Sequence, residues 1–176
     1  MTNSPLPSLT LVVGGAASGK SAHAEHLVTA TGRSRVYVAT AEAWDDEMRA
    51  KVAQHRDQRG PNWRTIEEPR DIAAALSSVR ATEVVLIDCA TLWLTNQLMA
   101  GADLETESRS LIAALTSCTA PVVVVSNEVG AGIVPETSLG RTFRNAQGRL
   151  NQRLAASADQ VITVIAGLPL VLKAPA

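Results

Sequence analysis

Eight consecutive residues near the amino terminus have the types and spacing of a phosphate-binding loop. They are Gly14, Gly15, Ala16, Ala17, Ser18, Gly19, Lys20 and Ser21. The pattern is G-x-x-x-x-G-K-[ST], and it lies between an apolar strand pattern and a helix pattern, as such a loop must. Backbone N–H groups can wrap phosphate oxygens, the lysine supplies a positive charge and the serine hydroxyl can bind magnesium. A glycine-rich turn without a ligand is the alternative, but we predict that this segment binds a nucleoside triphosphate, with Lys20 as a catalytic group and Ser21 as a metal ligand.

An acidic residue ends a second apolar run. Val84 to Ile87 are all aliphatic, and Asp88 follows them. A carboxylate at the end of a buried strand binds the magnesium ion in many nucleoside triphosphatases. The alternative is that Asp88 is the N-cap of the helix predicted from Ala90. Given the phosphate loop, we predict the metal role.

A histidine lies on one face of a helix predicted from Asp46 to Arg59. Met48, Val52 and His55 recur at spacings of four and three, so they share the inward face of that helix. A neutral imidazole is a competent nucleophile at neutral pH. A single histidine on a partly apolar face is also a common core residue, so the residues alone leave both interpretations of His55 open.

Three irregular segments, at 40–45, 60–68 and 127–138, interrupt the regular patterns. Ligands of open α/β sheets bind beyond the carboxyl ends of the strands, so we expect the two segments that follow strands to approach the phosphate loop. Glu67 and Glu68 either contact a ligand or begin the helix that follows. Similarly, Gly130 and Gly132 either line a ligand site or only permit a turn.

Short aliphatic runs alternate with stretches of helical period, which predicts an α/β fold with a mostly parallel sheet and helices on both faces. With the phosphate loop, this indicates a P-loop NTPase fold of the RecA-like type. The turn Gly167-Leu168-Pro169 is too short for a crossover helix, so the last two strands should form an antiparallel hairpin at one edge. The predicted strands are Leu9 to Val13, Val36 to Ala39, Val84 to Asp88, Val122 to Ser126, Val161 to Ile165 and Leu170 to Lys173. The predicted helices are Lys20 to Ala30, Asp46 to Arg59, Pro69 to Val79, Ala90 to Ala100, Glu105 to Ser117 and Leu139 to Ala156.

Length and composition limit the possible function classes. A chain of 176 residues with 46% hydrophobic residues is typical of one globular domain, which we expect to span 1–176. A net charge of -1 gives no basic field for nucleic acid. The chain contains no apolar run near the ~20 residues that span a bilayer and no basic segment before an apolar one at its start, so we expect a cytoplasmic protein. Cys89 and Cys118 lack metal-ligand spacing, and we expect both to be buried thiols.

Taken together, these segments resemble the bifunctional adenosylcobinamide kinase and adenosylcobinamide-phosphate guanylyltransferase family of the cobalamin pathway. The resemblance covers nearly the whole chain in an ordered set of motifs. Besides residues 14–21, these are Tyr37-Val38-Ala39-Thr40, Asp45-Asp46-Glu47-Met48, His55-Arg56, Trp63-Arg64-Thr65, Ser126-Asn127-Glu128-Val129-Gly130, Gly132-Ile133-Val134-Pro135, Gly148-Arg149-Leu150-Asn151-Gln152 and Ala158-Asp159.

The resemblance implies two reactions. ATP or GTP first phosphorylates the hydroxyl of the aminopropanol arm of adenosylcobinamide. GTP then transfers GMP, through a guanylylated histidine that falls on His55, to adenosylcobinamide phosphate, giving adenosylcobinamide-GDP and pyrophosphate. The family's nucleotide contacts map onto Ala39, Thr40, Ala41, Arg56, Asp57, Gln58, Arg59, Glu67 and Asp88. The resemblance also implies Mg²⁺ as a cofactor and a homotrimeric assembly.

The chain departs from the family pattern at two positions. Some relatives have glutamate where this chain has Asp88, and an arginine is common where it has Ala17. Neither change removes a group that the chemistry requires. The first shortens the side chain that carries the carboxylate, and the second removes one possible phosphate contact.

Two other function classes fit a phosphate loop. A small-molecule kinase without a covalent intermediate would leave His55 unmodified. A regulatory nucleotide switch would hydrolyse GTP without any cobinamide, and it would ordinarily carry a guanine-reading Asn-Lys-x-Asp sequence, which Asn127-Glu128-Val129-Gly130 does not match.

Overall fold

The computed structural model of the protein describes residues 6–42 and 62–175. Seven strands lie within these ranges: β1 (Leu9–Gly14), β2 (Ser34–Ala39), β3 (Trp63–Glu67), β4 (Glu83–Asp88), β5 (Val122–Asn127), β6 (Gln160–Ile165) and β7 (Leu168–Lys173). The same ranges contain five helices: α1 (Lys20–Ala30), α2 (Ile72–Ser77), α3 (Ala90–Met99), α4 (Leu104–Ser117) and α5 (Ser138–Ser157). None of these helices is long and apolar enough to cross a membrane.

The strands form one sheet in the order β3-β2-β4-β5-β1-β6-β7. Every neighbouring pair is parallel except β6 and β7, which form an antiparallel hairpin at the edge. Strand β5 lies between β1 and β4, with Asn127 opposite Gly14 and Val125 opposite Asp88. The carboxyl ends of three parallel strands therefore lie side by side.

Alternating side chains divide the core between the two faces of the sheet, as the period of a strand requires. On one face, Val123 and Val125 of β5 belong to a cluster that includes Ala24 and Val28 of α1. On the other, Val124 belongs to a larger cluster formed with α2, α3, α4 and α5. The prediction of a mostly parallel sheet with helices on both faces and a terminal antiparallel hairpin is confirmed.

Strand β3 corrects the sequence analysis, which treated 60–68 as irregular. Its residues are only partly buried, because β3 is an edge strand paired with β2 alone. The pairing of β3 with β2 is supported by contacts between side chains instead of an apolar run. Trp63 packs edge-to-face on Tyr37, with ring centroids 6.1 Å apart, and the guanidinium of Arg35 lies over the ring of Trp63. Edge strands with polar alternation give a weak sequence signal.

Two other boundaries were wrong. Helix α2 begins at Ile72, not Pro69, because Glu68 accepts hydrogen bonds from the backbone N–H groups of Arg70 and Asp71 in a turn that precedes the helix. The hairpin turn is Ala166-Gly167, both with positive φ, so Leu168 and Pro169 belong to β7. Pro169 is tolerated because β7 is an edge strand. The helix predicted from Asp46 to Arg59 lies outside the described residues.

Candidate active site

The predicted phosphate loop connects the end of β1 to the start of α1. Helix α1 begins at Lys20 after Gly19, which has a left-handed conformation with φ 92° and no side chain to cap the helix. The first turn also contains no acidic residue. Its N–H groups and the positive end of the helix dipole are therefore directed at the space where an anion can bind.

Close packing explains two of the three glycines of this loop, Gly14 and Gly19. A Cβ atom at Gly14 would lie 2.5 Å from the hydroxyl oxygen of Ser18 and 2.6 Å from the carbonyl oxygen of Val164. A Cβ atom at Gly19 would lie 3.2 Å from the Cα atom of Gly167 in the hairpin turn, whose N–H donates a 2.8 Å hydrogen bond to the carbonyl of Ser18. The β6–β7 turn thus supports the loop from outside.

Lys20 is 9% exposed, and its Nζ donates a 3.0 Å hydrogen bond to the carbonyl oxygen of Gly15 within the same loop. The ammonium group is therefore folded over the loop, where a phosphate can replace or join the neutral carbonyl as its partner. The buried hydroxyl of Ser18 has no hydrogen-bond partner among the described residues. Ala17 adopts a positive φ of 54°, which is uncommon for a residue with a Cβ atom.

Asp88 lies at the end of β4, half-buried, and its Oδ2 accepts a 3.2 Å hydrogen bond from the hydroxyl of Tyr37. The structure does not support the N-cap alternative, because the N-cap of α3 is Cys89. Burial, followed by the nearby charge of Asp88, raises the pKa of the Cys89 thiol to about 11. Asp88 therefore accepts a hydrogen bond from Tyr37 instead of capping a helix.

Ala39 is the last residue of β2 and is paired with Asp88 of β4, and Thr40 follows Ala39. In the sheet, Ala39 is opposite both Asp88 and Glu67, so these three predicted contacts lie side by side at the carboxyl ends of their strands. Thr40 is fully buried, and its hydroxyl exchanges hydrogen bonds of 2.7 and 2.8 Å with the backbone of Cys89. Thr40 therefore ties the ends of β2 and β4 together, whereas Glu67 is exposed at the end of β3 and Ala41 is half-buried.

The sequence analysis gave no role to a buried polar network behind the end of β5. Asn151 of α5 accepts hydrogen bonds from Ser126 (2.6 Å) and Gln147 (2.9 Å), and its Nδ2 donates to the carbonyl of Asn127 (3.0 Å). The N–H of Asn127 donates to the hydroxyl of Thr91. The signal was present in the sequence, since two amides at spacing four interrupt the inward face of an amphipathic helix.

The end of β5 is also bonded directly to the phosphate loop. The N–H of Glu128 donates a 3.0 Å hydrogen bond to the carbonyl of Gly14. The network around Asn127 therefore fixes a backbone segment that is one hydrogen bond away from the first residue of the loop. The remaining predicted site residues, His55, Arg56, Asp57, Gln58 and Arg59, lie outside the described residues.

The oxygen groups at this edge fit a magnesium ion. Ser21, in the first turn of α1, offers a hydroxyl, and Asp88, two strands away, offers a carboxylate. Mg²⁺ is usually bound by one or two protein oxygens together with waters and substrate phosphates. Accordingly, the described residues need not contain a cluster of three or more metal-ligating side chains, and they contain none.

A cavity of about 490 Å³ lies elsewhere, among the turn at 68–71, α2, α3 and α4. Trp93 and Gln97 line it, and both donate hydrogen bonds to the carbonyl of Arg70. Of its lining residues, Glu68 is the one that the sequence offered as a possible ligand contact, and here it accepts hydrogen bonds from the backbone of the turn. In the phosphate loop, Gly15, Ala16 and Ala17 are exposed.

Solved structures with low sequence identity share this fold. The flagellar accessory protein FlaH from Methanocaldococcus jannaschii superimposes with a TM-score of 0.58 at 16% identity, covering 97% of this chain and 80% of that chain. A prototypical ATPase from the type III secretion system of pathogenic bacteria gives a TM-score of 0.55 at 10% identity, covering 94% and 57%. The predicted P-loop NTPase fold of RecA-like type is confirmed.

Sequence comparisons are more specific. The bifunctional adenosylcobalamin biosynthesis protein CobU of Escherichia coli (strain K12) is 41% identical, covering 94% of this chain and 99% of that protein. The corresponding CobP of Pseudomonas aeruginosa is 42% identical, covering 93% and 96%. The family model for cobinamide kinase / cobinamide phosphate guanyltransferase matches residues 10–172. The chain therefore belongs to the cobinamide kinase / cobinamide phosphate guanyltransferase family.

Proposed function

We propose that this chain carries out both transfer reactions of its family, with adenosylcobinamide and its phosphate as acceptors and ATP or GTP as donor. The observation that carries the proposal is the phosphate loop, where Lys20 and the uncapped first turn of α1 form a cationic cradle, with Asp88 at the same edge of the sheet. Membership of the family supplies the acceptors.

In the kinase reaction, the hydroxyl oxygen of the acceptor attacks the γ phosphorus of ATP or GTP. The bond from that phosphorus to the β–γ bridging oxygen breaks, the hydroxyl proton is released, and the nucleoside diphosphate leaves. Lys20 and the backbone N–H groups of residues 14–21 stabilise the negative charge that develops on the phosphate oxygens. Mg²⁺, held by Ser21 and Asp88, would neutralise further phosphate charge.

In the guanylyltransferase reaction, we propose that a ring nitrogen of His55 attacks the α phosphorus of GTP. A nitrogen–phosphorus bond forms, the α–β bridging bond breaks and pyrophosphate leaves. A phosphate oxygen of adenosylcobinamide phosphate then attacks the same phosphorus, so the nitrogen–phosphorus bond breaks and His55 is regenerated. The proposed nucleotide contacts are Arg56, Asp57, Gln58, Arg59, Ala39, Thr40, Ala41 and Glu67. For Thr40 the contact would have to tolerate the hydrogen bonds that its side chain already makes.

We also propose that residues 1–176 form a single domain that assembles as a homotrimer in the cytoplasm. The family model spans 10–172, which favours one unit. The trimer rests on the family resemblance alone, and the cytoplasm is where nucleoside triphosphate donors are available. Sedimentation or light scattering of the purified chain would test the trimer.

Intact-protein mass spectrometry after incubation with GTP and magnesium tests the covalent step. We expect an acid-labile gain of one GMP on the parent chain, because the phosphoramidate bond is hydrolysed readily in acid. The His55→Ala variant should gain nothing. His26→Ala, which changes an exposed histidine of α1, is the matched control and should be modified as the parent is. Modification of His55→Ala would overturn the assignment of the nucleophile, and no gain on any of the three in a preparation that binds GTP would favour the kinase alone.

A further inference from the structure

The segment between β5 and α5, residues 128–137, presents two large apolar side chains to solvent. Ile133 is 96% exposed and Val134 is 60% exposed, and they are adjacent in the chain. Single exposed apolar residues are ordinary, but an adjacent pair at the tip of a segment gains stabilisation only when something covers it.

The segment is held in one conformation by charged side chains at its base. Arg144 of α5 donates to the carbonyl oxygens of Gly130 and Gly132, and the Glu128 carboxylate accepts from the N–H of Gly130 (2.6 Å). Arg141 donates to the carbonyls of Pro135 (3.0 Å) and Glu136 (2.6 Å). These contacts fix the backbone on both sides of Ile133 and Val134. The apolar pair is therefore held in place instead of collapsing onto the core.

The segment begins at the nucleotide site. Its first residue, Glu128, is hydrogen-bonded through its N–H to the carbonyl of Gly14, the first residue of the phosphate loop. The chain from Glu128 to Ile133 can span a distance of at most roughly 17 Å. The segment therefore lies close enough to contact an acceptor whose hydroxyl or phosphate approaches a phosphate bound at Lys20.

We propose that residues 128–137 form the docking surface for the corrin ring of the acceptor, with Ile133 and Val134 packed against its apolar face. The inference rests on the proposed function, since it concerns the acceptor of the same site. A corrin is a broad macrocycle with apolar faces, so an exposed aliphatic pair matches that part of its surface. The arm that carries the reacting group then extends toward Gly14 and Lys20.

The test compares the double variant Ile133→Ala/Val134→Ala with a matched control, Val171→Ala/Leu172→Ala. The control removes the same kinds of exposed side chain (51% and 60%) from the edge strand β7. Val171 is opposite Ile162, in the first half of β6, and so lies away from the carboxyl ends of the parallel strands. Steady-state kinase assays with adenosylcobinamide measure KM and kcat, and mass spectrometry measures GMP transfer from GTP to the protein without any corrinoid.

For the Ile133/Val134 variant we expect the KM for adenosylcobinamide to rise at least about tenfold, since most of the apolar contact with the ring is lost. The KM for nucleotide, the extent of guanylylation without corrinoid, and the oligomeric state should match those of the parent. The control should behave as the parent in the KM for the corrinoid.

Two outcomes would overturn the proposal. An unchanged KM for the corrinoid in the Ile133/Val134 variant would show that the ring binds elsewhere. A change of oligomeric state in that variant would show that a second copy of the chain covers the pair. A parent chain that turns over no adenosylcobinamide would instead refute the proposed function, and the guanylylation assay separates that failure from the first two.

Discussion

Replacing Asn151 by alanine tests whether the polar network behind β5 stabilises the protein and the nucleotide site together. The substitution removes three hydrogen bonds, to Ser126, Gln147 and the carbonyl of Asn127. Ser126 and Gln147 are fully buried, so water does not readily replace the lost partner. At about 1 kcal/mol for each lost bond, we expect the free energy of unfolding to fall by about 3 kcal/mol.

The matched control is Asn145→Ala, on the same helix but exposed. Both variants gain the same helix propensity on replacing asparagine by alanine, so the difference between them isolates the network. Urea denaturation followed by circular dichroism measures it. With a slope of about 2 kcal/mol/M, the midpoint for Asn151→Ala should lie about 1.5 M below that of the control.

The same variant should weaken the nucleotide site. Loss of the bond to Asn127 frees the backbone that continues, through Glu128, to the carbonyl of Gly14. We expect a higher Kd for GTP in Asn151→Ala than in Asn145→Ala, under conditions where both are folded. A difference in unfolding free energy below about 1 kcal/mol would refute the argument, because it would mean that the buried groups find other partners at little cost.

Two further predictions concern titrating groups. The pKa of Glu83 is lowered, first by the hydrogen bond from the backbone N–H of Arg80, although burial opposes the shift. The ionised Glu83 carboxylate therefore stabilises the folded protein above the unfolded pKa near 4.5. This stabilisation is lost as the pH falls through the folded pKa. Glu83→Gln should reduce the free energy of unfolding by about 2 kcal/mol at pH 7 and by less at pH 3, measured by urea titration at both values. The thiol of Cys89 is buried with its pKa raised to about 11, whereas Cys118 is half-buried. A thiol reagent at pH 8 should therefore modify about one cysteine per chain in the native protein and both in urea, and rapid native modification of both would contradict this.

Much of the fold follows from local sequence patterns. The aliphatic runs of β1, β4 and β5 are buried on both faces of a parallel sheet, so they have no polar alternation to confuse the assignment. Strand β3 has the opposite character, since its side chains interact with Tyr37, Arg35 and Glu83, which are distant in sequence. A pattern read over five residues contains no information about those partners.

The candidate site was predictable to a similar extent. The type and spacing of residues 14–21 identify the phosphate loop because Gly14, Gly19, Lys20 and Ser21 each meet a local requirement. The supports of that loop are not local: Gly167 lies in the hairpin turn, and Asn151 lies in α5. Their contributions depend on the strand order, which places β5 on one side of β1 and β6 on the other.

The strand order is also consistent with the proposal that one phosphate cradle serves both transfers. Because β5 separates β1 from β4, the carboxylate of Asp88 lies two strands from the phosphate loop. The end of β5 between them carries no aliphatic side chain beyond Val125. Asn151 fixes the backbone at this end of β5 through its hydrogen bond to the carbonyl of Asn127. A rigid cradle of this kind can hold the triphosphate while different phosphorus atoms are attacked, since the attacking group, not the cradle, selects the bond that breaks. On this view the acceptor and the proposed nucleophile determine the reaction, and the sheet edge supplies the same charge stabilisation to both.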